Sequence, residues 1–78
     1  MVLVKYEIAG VYNSIYDFIT KEDREILRRK FGSGDVDELL DKYTDSELIS
    51  AILEEYPKKY LLHFCEAEDV FYIFEILD

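Results

Sequence analysis

The apolar residues of this chain recur with two different periods, and each change of period marks an element boundary. From Val2 to Ala9 the chain alternates. Val2, Val4, Tyr6 and Ile8 share one face, and Leu3, Lys5, Glu7 and Ala9 share the other. A period of two predicts a strand with one covered face, here closed by Gly10. Val11 to Ile19 fits either period, but Tyr12, Ile15, Tyr16 and Ile19 favour helical spacing, with Asn13 or Ser14 as its cap. Thr20 and Asp23 stand at the spacing of a capping box, Ile26, Leu27 and Phe31 supply an apolar stripe, and Gly32 ends the helix. Asp35, with Glu38 three positions on, opens the next helix, whose stripe is Val36, Leu39, Leu40 and Tyr43. Thr44 and Glu47 repeat the capping pattern. Leu48, Ile49, Ile52, Leu53 and Tyr56 then form the longest stripe, which Pro57 stops.

Tyr60 to Leu77 returns to period two as a pair of strands joined at Glu66, Ala67, Glu68 and Asp69. In the last strand Val70, Tyr72, Phe74 and Ile76 lie on one face, and Phe71, Ile73, Glu75 and Leu77 on the other. Both faces are apolar, so this strand is expected at the centre of the sheet, covered on both sides. The pattern therefore predicts an α+β fold. Its sheet is small, three-stranded and mostly antiparallel, in order 1-3-2, with three to four short helices inserted between strand 1 and a C-terminal β-hairpin. Residues 1–78 are expected to form a single small acidic α+β domain. Helices are expected on at least one sheet face; the second needs a further helix, tyrosine side chains or a partner chain, which makes a homodimer one expectation.

Composition narrows the setting. Half of the 78 residues are hydrophobic, enough for a core without disulfides or metal. Cys65 is the only cysteine, so no internal disulfide can form, and a reducing, cytoplasmic setting is expected. The N-terminus lacks the flanks of a signal peptide, and no apolar run approaches the ~18 residues of a membrane span. The net charge of −9 argues against direct contact with nucleic acid or anionic lipid.

That charge is unevenly distributed. Residues 35–55 hold Asp35, Asp37, Glu38, Asp41, Asp45, Glu47, Glu54 and Glu55 against Lys42 alone, and Glu66, Glu68 and Asp69 add more in the hairpin turn. With the helical stripes inward, Asp37, Asp41, Glu47 and Glu54 face water. Such a row of carboxylates, about 6 Å apart at ~1.5 Å per residue, coarsely imitates a phosphate backbone. The competing reading is that these are ordinary solvated faces and first-turn acids placed by the helix dipole. Arg28, Arg29 and Lys30 precede Gly32-Ser33-Gly34, but this matches no phosphate loop and reads as a dipole complement at a helix end.

His63 and Cys65 share a strand face, yet zinc needs more ligands, and i, i+2 neighbours ~7 Å apart make no nucleophile pair. They read as packing residues. No spacing selects a catalytic carboxylate pair, so no enzyme activity, metal or cofactor is expected. Tyrosine suits interfaces, and Tyr12, Tyr16 and Tyr43 are the surface candidates among seven. The expected function is an acidic inhibitor that binds the basic surface of a nuclease or other nucleic-acid-binding effector. Inhibitors of defence nucleases carried by phages and mobile elements, immunity proteins and DNA mimics work in this way. Its expected partner-binding residues are Asp37, Glu38, Asp41, Tyr43, Asp45, Glu47, Glu54, Glu55, Glu66, Glu68 and Asp69. The alternative is a structural or regulatory homodimer without mimicry.

Overall fold

Alternating and helical stretches follow one another in the computed structural model, which describes residues 4–77, as β1 (Lys5–Tyr12), α1 (Ile15–Phe18), α2 (Lys21–Phe31), α3 (Val36–Leu39), α4 (Asp45–Leu53), β2 (Tyr60–Cys65) and β3 (Val70–Leu77). Val2 and Leu3, expected to open the first strand, lie outside the described residues. The fold is α+β: a three-stranded antiparallel sheet in order β1-β3-β2, with four helices between β1 and the C-terminal hairpin. The hairpin is in register from Tyr60↔Glu75 to Cys65↔Val70. Its turn is closed by Asp69 in the left-handed region (φ 55°), where a short polar side chain is tolerated.

Gly10 does not end the first strand. A bulge at Ala9 lies between the pairs Ile8↔Phe74 and Gly10↔Ile73, and the strand continues to Tyr12↔Phe71. The extra residue shifts the alternation by one, so Tyr6, Ile8 and Val11 share one face while Gly10 and Tyr12 occupy the other. Val11 and Tyr12 are therefore strand rather than helix, and α1 starts only after Ser14, whose side chain makes no capping bond. Glycine suits the bulge because the Tyr12 ring lies across it: a Cβ on Gly10 would meet Tyr12 Cε2 at 2.6 Å.

The helices begin where the polar pattern predicts. Thr20 Oγ1 accepts from the Asp23 N–H at 3.2 Å and the Asp23 carboxylate accepts from the Thr20 N–H at 2.9 Å, so the capping box of α2 is complete. Gly32, at φ 84°, closes that helix in the left-handed conformation. Asp35 caps α3 and Thr44 caps α4. Two helices are shorter than their stripes. After Leu39 the N–H groups of Asp41 and Lys42 turn back to the carbonyls of Glu38 and Leu39, three residues behind, so the stripe from Val36 to Tyr43 is helical only in its first half. Similarly, Glu54 to Tyr56 form a turn before Pro57.

The core lies between the helices and one sheet face. Ile15, Leu27, Leu48, Ile49 and Ile52 are wholly buried, and Phe71 and Ile73 of β3 close the layer from below. Burial of each such side chain is worth about 1.5–3 kcal/mol. The opposite face of the central strand is not covered by helix, contrary to the expectation from its two apolar faces. Tyr72, Phe74 and Ile76 lie there, paired with Val11, Ile8 and Tyr6. Tyr6 and Ile8 are 57% and 58% exposed. The shortest extent of the molecule, 20 Å, accommodates two layers ~10 Å apart and no third.

Candidate partner-binding surface

The acids of residues 35–55 separate into two groups because α4 puts a helix length between its ends. Asp45 opens α4 and Glu54 follows its last turn, so the two lie about 13 Å apart at ~1.5 Å per residue. At the far end, α2 packs against α4 and brings its basic last turn alongside. Lys30 Nζ lies 3.0 Å from Glu54 Oε2, and Arg29 Nη1 lies 3.3 Å from Glu55 Oε1. Arg28 instead pairs with Glu25. Glu54 and Glu55, expected to bind a partner, are thus already matched by cations of their own chain.

The near end differs. None of the four ion pairs among the described residues involves Asp35, Asp37, Glu38, Asp41, Asp45 or Glu47. Some of these acids also do local work. Asp35 accepts from the N–H groups of Asp37 and Glu38, Glu38 accepts from the Ser33 hydroxyl, and Glu47 accepts from the Thr44 hydroxyl. Each keeps its charge exposed while completing a helix start, so the capping reading and the surface reading of these acids are compatible.

Tyr16 is the centre of this group. Ile15 and Phe18 point inward from α1, which leaves the Tyr16 ring outward and 50% exposed. Its hydroxyl donates to Asp37. That hydrogen bond holds the phenol above its ordinary pKa, with slight desolvation and the charges of Asp37, Asp45 and Asp35 adding to the effect. One exposed aromatic ring is thus held by Asp37, in the field of Asp35 and Asp45.

Tyr43, the aromatic expected on this surface, is half-buried with its ring 4.7 Å from that of Phe31. Tyr12 is likewise half-buried and packs edge-on against Phe18 at 5.2 Å. Tyr16, a surface candidate alongside them, is the one of the three that is exposed. The inward spacing of Ile15 and Phe18 carries that signal in the sequence.

The hairpin turn extends the surface. Asp69 lines a shallow concavity with Asp45, Asn13 and Phe64, so the turn lies beside the start of α4. Glu66 and Glu68 are exposed in the same turn, and Glu68 accepts from the Tyr72 hydroxyl at 2.6 Å. That hydrogen bond is the main cause of the raised pKa of the Tyr72 phenol, with desolvation and the charge of Glu68 adding to it. Asp37, Asp45 and Asp69, distant in sequence, thus belong to one acidic end of the molecule. Asp41 is exposed in the turn after α3.

Among the described residues no group of three or more His, Cys, Asp or Glu side chains is arranged to hold a metal ion. Nor is any helix among them long and apolar enough to cross a membrane. His63 is exposed and Cys65 half-buried on the uncovered sheet face, opposite Tyr72 and Val70. Comparison with protein families, with curated proteins and with solved structures finds no match.

Proposed function

We propose that this chain is an acidic protein-binding inhibitor that occupies a basic nucleic-acid-binding surface of a target protein, such as a nuclease or another nucleic-acid-binding effector. Inhibition of a defence nuclease by a phage or mobile element, or immunity against a toxin nuclease, is the kind of role that fits. The observation that carries this reading is the exposed Tyr16 ring, whose hydroxyl donates to Asp37, at an end of the molecule where Asp35, Asp37 and Asp45 have no ion-pair partner among the described residues.

A groove that binds phosphates presents Lys and Arg at a spacing of several ångströms. Carboxylates held at helix starts meet such cations without first reorganising. The exposed ring offers a face on which a guanidinium can stack, worth about 0.5–2 kcal/mol depending on desolvation. Exposed ion pairs contribute only ~0.2–1 kcal/mol each, so the affinity must come from several acting together and from the aromatic anchor. Complementary fields also raise the association rate, an effect screened over about 8 Å at physiological salt.

The test is a triple substitution, Asp37→Asn, Asp45→Asn and Asp69→Asn. Asparagine keeps the shape at all three positions and tolerates the left-handed backbone at residue 69. Basic nucleic-acid-binding proteins retained by the immobilised chain at low salt are purified and tested for displacement of labelled duplex DNA by the free chain. Displacement by the wild type, lost in the triple variant and weakened by salt, is the expected result. Equal displacement by both chains, or none by either, removes the reading. Glu54→Gln with Glu55→Gln should change little, because those charges are already matched. The uncovered sheet face favours a second reading, a homodimer, which excludes mimicry only if it hides the acidic end.

A further inference from the structure

We propose that the uncovered sheet face is the interface for a second copy of this chain, with the two three-stranded sheets packed face to face as a six-stranded sandwich. This does not rest on the proposed inhibitor role, and the acidic end around Tyr16 is not part of the interface.

The alternation of β1 supplies the first argument. Its apolar members, Tyr6 and Ile8, point away from the helices, while Lys5 and Glu7 lie on the helix side, opposite Leu77 and Glu75. A two-layer monomer in water would favour the reverse, with the polar residues of an edge strand on its open face. The sequence is therefore patterned for a dry environment where this monomer has none. The face is also internally ordered: the Tyr6 and Phe74 rings meet edge-on at 5.3 Å, and Tyr72 stacks on Phe74 at 6.1 Å.

Charge identifies the occupant. No Asp, Glu, Lys or Arg lies on this face among the paired residues of the three strands. Glu68, which accepts from the Tyr72 hydroxyl, is in the turn at its rim. A cationic partner of a chain carrying −9 would gain nothing electrostatically here and would favour the acidic end. Two copies of a chain carrying −9 repel one another overall, and the neutral face is the one on which that repulsion is least. Aligned packing of twisted sheets at ~10 Å separation is an established arrangement for two such surfaces.

The area fits a weak dimer. At ~3.3 Å per residue and ~4.8 Å between strands, the sheet is roughly 26 Å by 14 Å. Two copies face to face therefore cover about 730 Å² of sheet, below the ~1,200 Å² of standard stable interfaces and in the range of weak, transient ones. The monomer has surface to lose. At 9.3 kDa a folded chain exposes roughly 5,000 Å², whereas this one exposes 5565 Å². An interface of this size makes a dimer that dissociates on dilution.

Sedimentation velocity of the full chain over a concentration series tests the proposal, with the wild type, Ile8→Lys, Leu61→Lys and the Asp37→Asn/Asp45→Asn pair. Ile8 and Leu61 are at least half exposed and lie on different strands, so each lysine can be checked for a native circular dichroism spectrum, and one serves if the other fails to fold. The wild type should shift from one chain to two as concentration rises, and added salt should strengthen the dimer by screening its self-repulsion. Either lysine should weaken association at least tenfold, while the asparagine pair should dimerise at least as well as the wild type. A wild type that stays monomeric throughout, a dimer indifferent to both lysines, or one that salt dissociates overturns the proposal. Loss of DNA displacement with dimerisation intact, or the reverse, separates this inference from the inhibitor reading.

Discussion

Asp23→Ala removes the one buried charged side chain among the described residues and with it the contact that ties α2 to the end of α4. Asp23 is 2% exposed. One carboxylate oxygen accepts from the Thr20 N–H at 2.9 Å and the other accepts from the Tyr56 hydroxyl at 2.7 Å. Loss of the capping half costs about 1 kcal/mol by analogy with cap deletions. Loss of the hydrogen bond from Tyr56 to a charged acceptor costs about 1.5–3 kcal/mol. Relief of the carboxylate's own desolvation offsets part of this. The net expectation is a loss of roughly 2–4 kcal/mol. At about 4–8 °C per kcal/mol for a domain of this size, the midpoint falls by at least ~8 °C.

Tyr56→Phe leaves Asp23 buried with one oxygen unpartnered, for about 1–3 kcal/mol. Urea unfolding of both single variants and the double variant closes a cycle whose coupling term isolates the contact. The contact also predicts a pH effect. Burial, followed by the hydrogen bond to Asp23, raises the Tyr56 pKa well above its ordinary 10.0. A group with a raised folded pKa contributes its full stabilisation below the unfolded pKa and loses it as pH rises. The wild-type advantage over Tyr56→Phe should therefore be constant below about pH 10 and shrink above it, by at most ~1.4 kcal/mol per pH unit. A single-variant loss within ~0.5 kcal/mol of zero, or a coupling term of zero, would refute the role given to this pair.

Gly10→Ala should destabilise by about 1–3 kcal/mol, because the new methyl displaces the Tyr12 ring from Phe18; thermal unfolding and the Tyr12 ring shifts in NMR report both effects. Leu48→Ala, at a wholly buried position on α4, should lose about 2–5 kcal/mol in urea unfolding. Lys30→Ala should change stability by less than ~1 kcal/mol, since its partner Glu54 is largely exposed, and should enlarge the acidic surface at that end of α4.

The hairpin was legible because its pattern is local. β-branched and aromatic residues fill Tyr60–Cys65 and Val70–Leu77, the intervening acids allow only a turn, and the observed strands have those limits. The caps at Thr20, Asp35 and Thr44 were legible for the same reason, each being set within three or four residues. What local pattern could not supply was the bulge at Ala9, because glycine reads as a strand end unless the partner strand is known to continue past it. Nor could it shorten α3, since Leu40 and Tyr43 stay inward whether the chain is helical there or turning. At the candidate site, the outward direction of Asp37 and Asp45 follows from helical stripes. The neutralisation of Glu54 and Glu55 does not, because their cations lie 24 and 26 residues away and arrive only when α2 packs on α4.

The same limitation explains the open sheet face. Alternation in β1 states which of its sides is apolar, but not on which side the helices will lie. That choice falls to the central strand, which is apolar on both. Phe71 and Ile73 face the helices together with Gly10 and Tyr12, and the bulge at Ala9 makes this possible: it turns Tyr12 into the core while leaving Tyr6 and Ile8 outside. One inserted residue thus divides the strand between two environments and creates a neutral apolar surface on a chain whose charges lie elsewhere. A sandwich formed through that surface would leave both Tyr16 clusters accessible. Each dimer would then carry two acidic ends in a fixed relation, and a two-fold symmetric target engaged by both would bind more tightly than either end alone allows, with no new contact required.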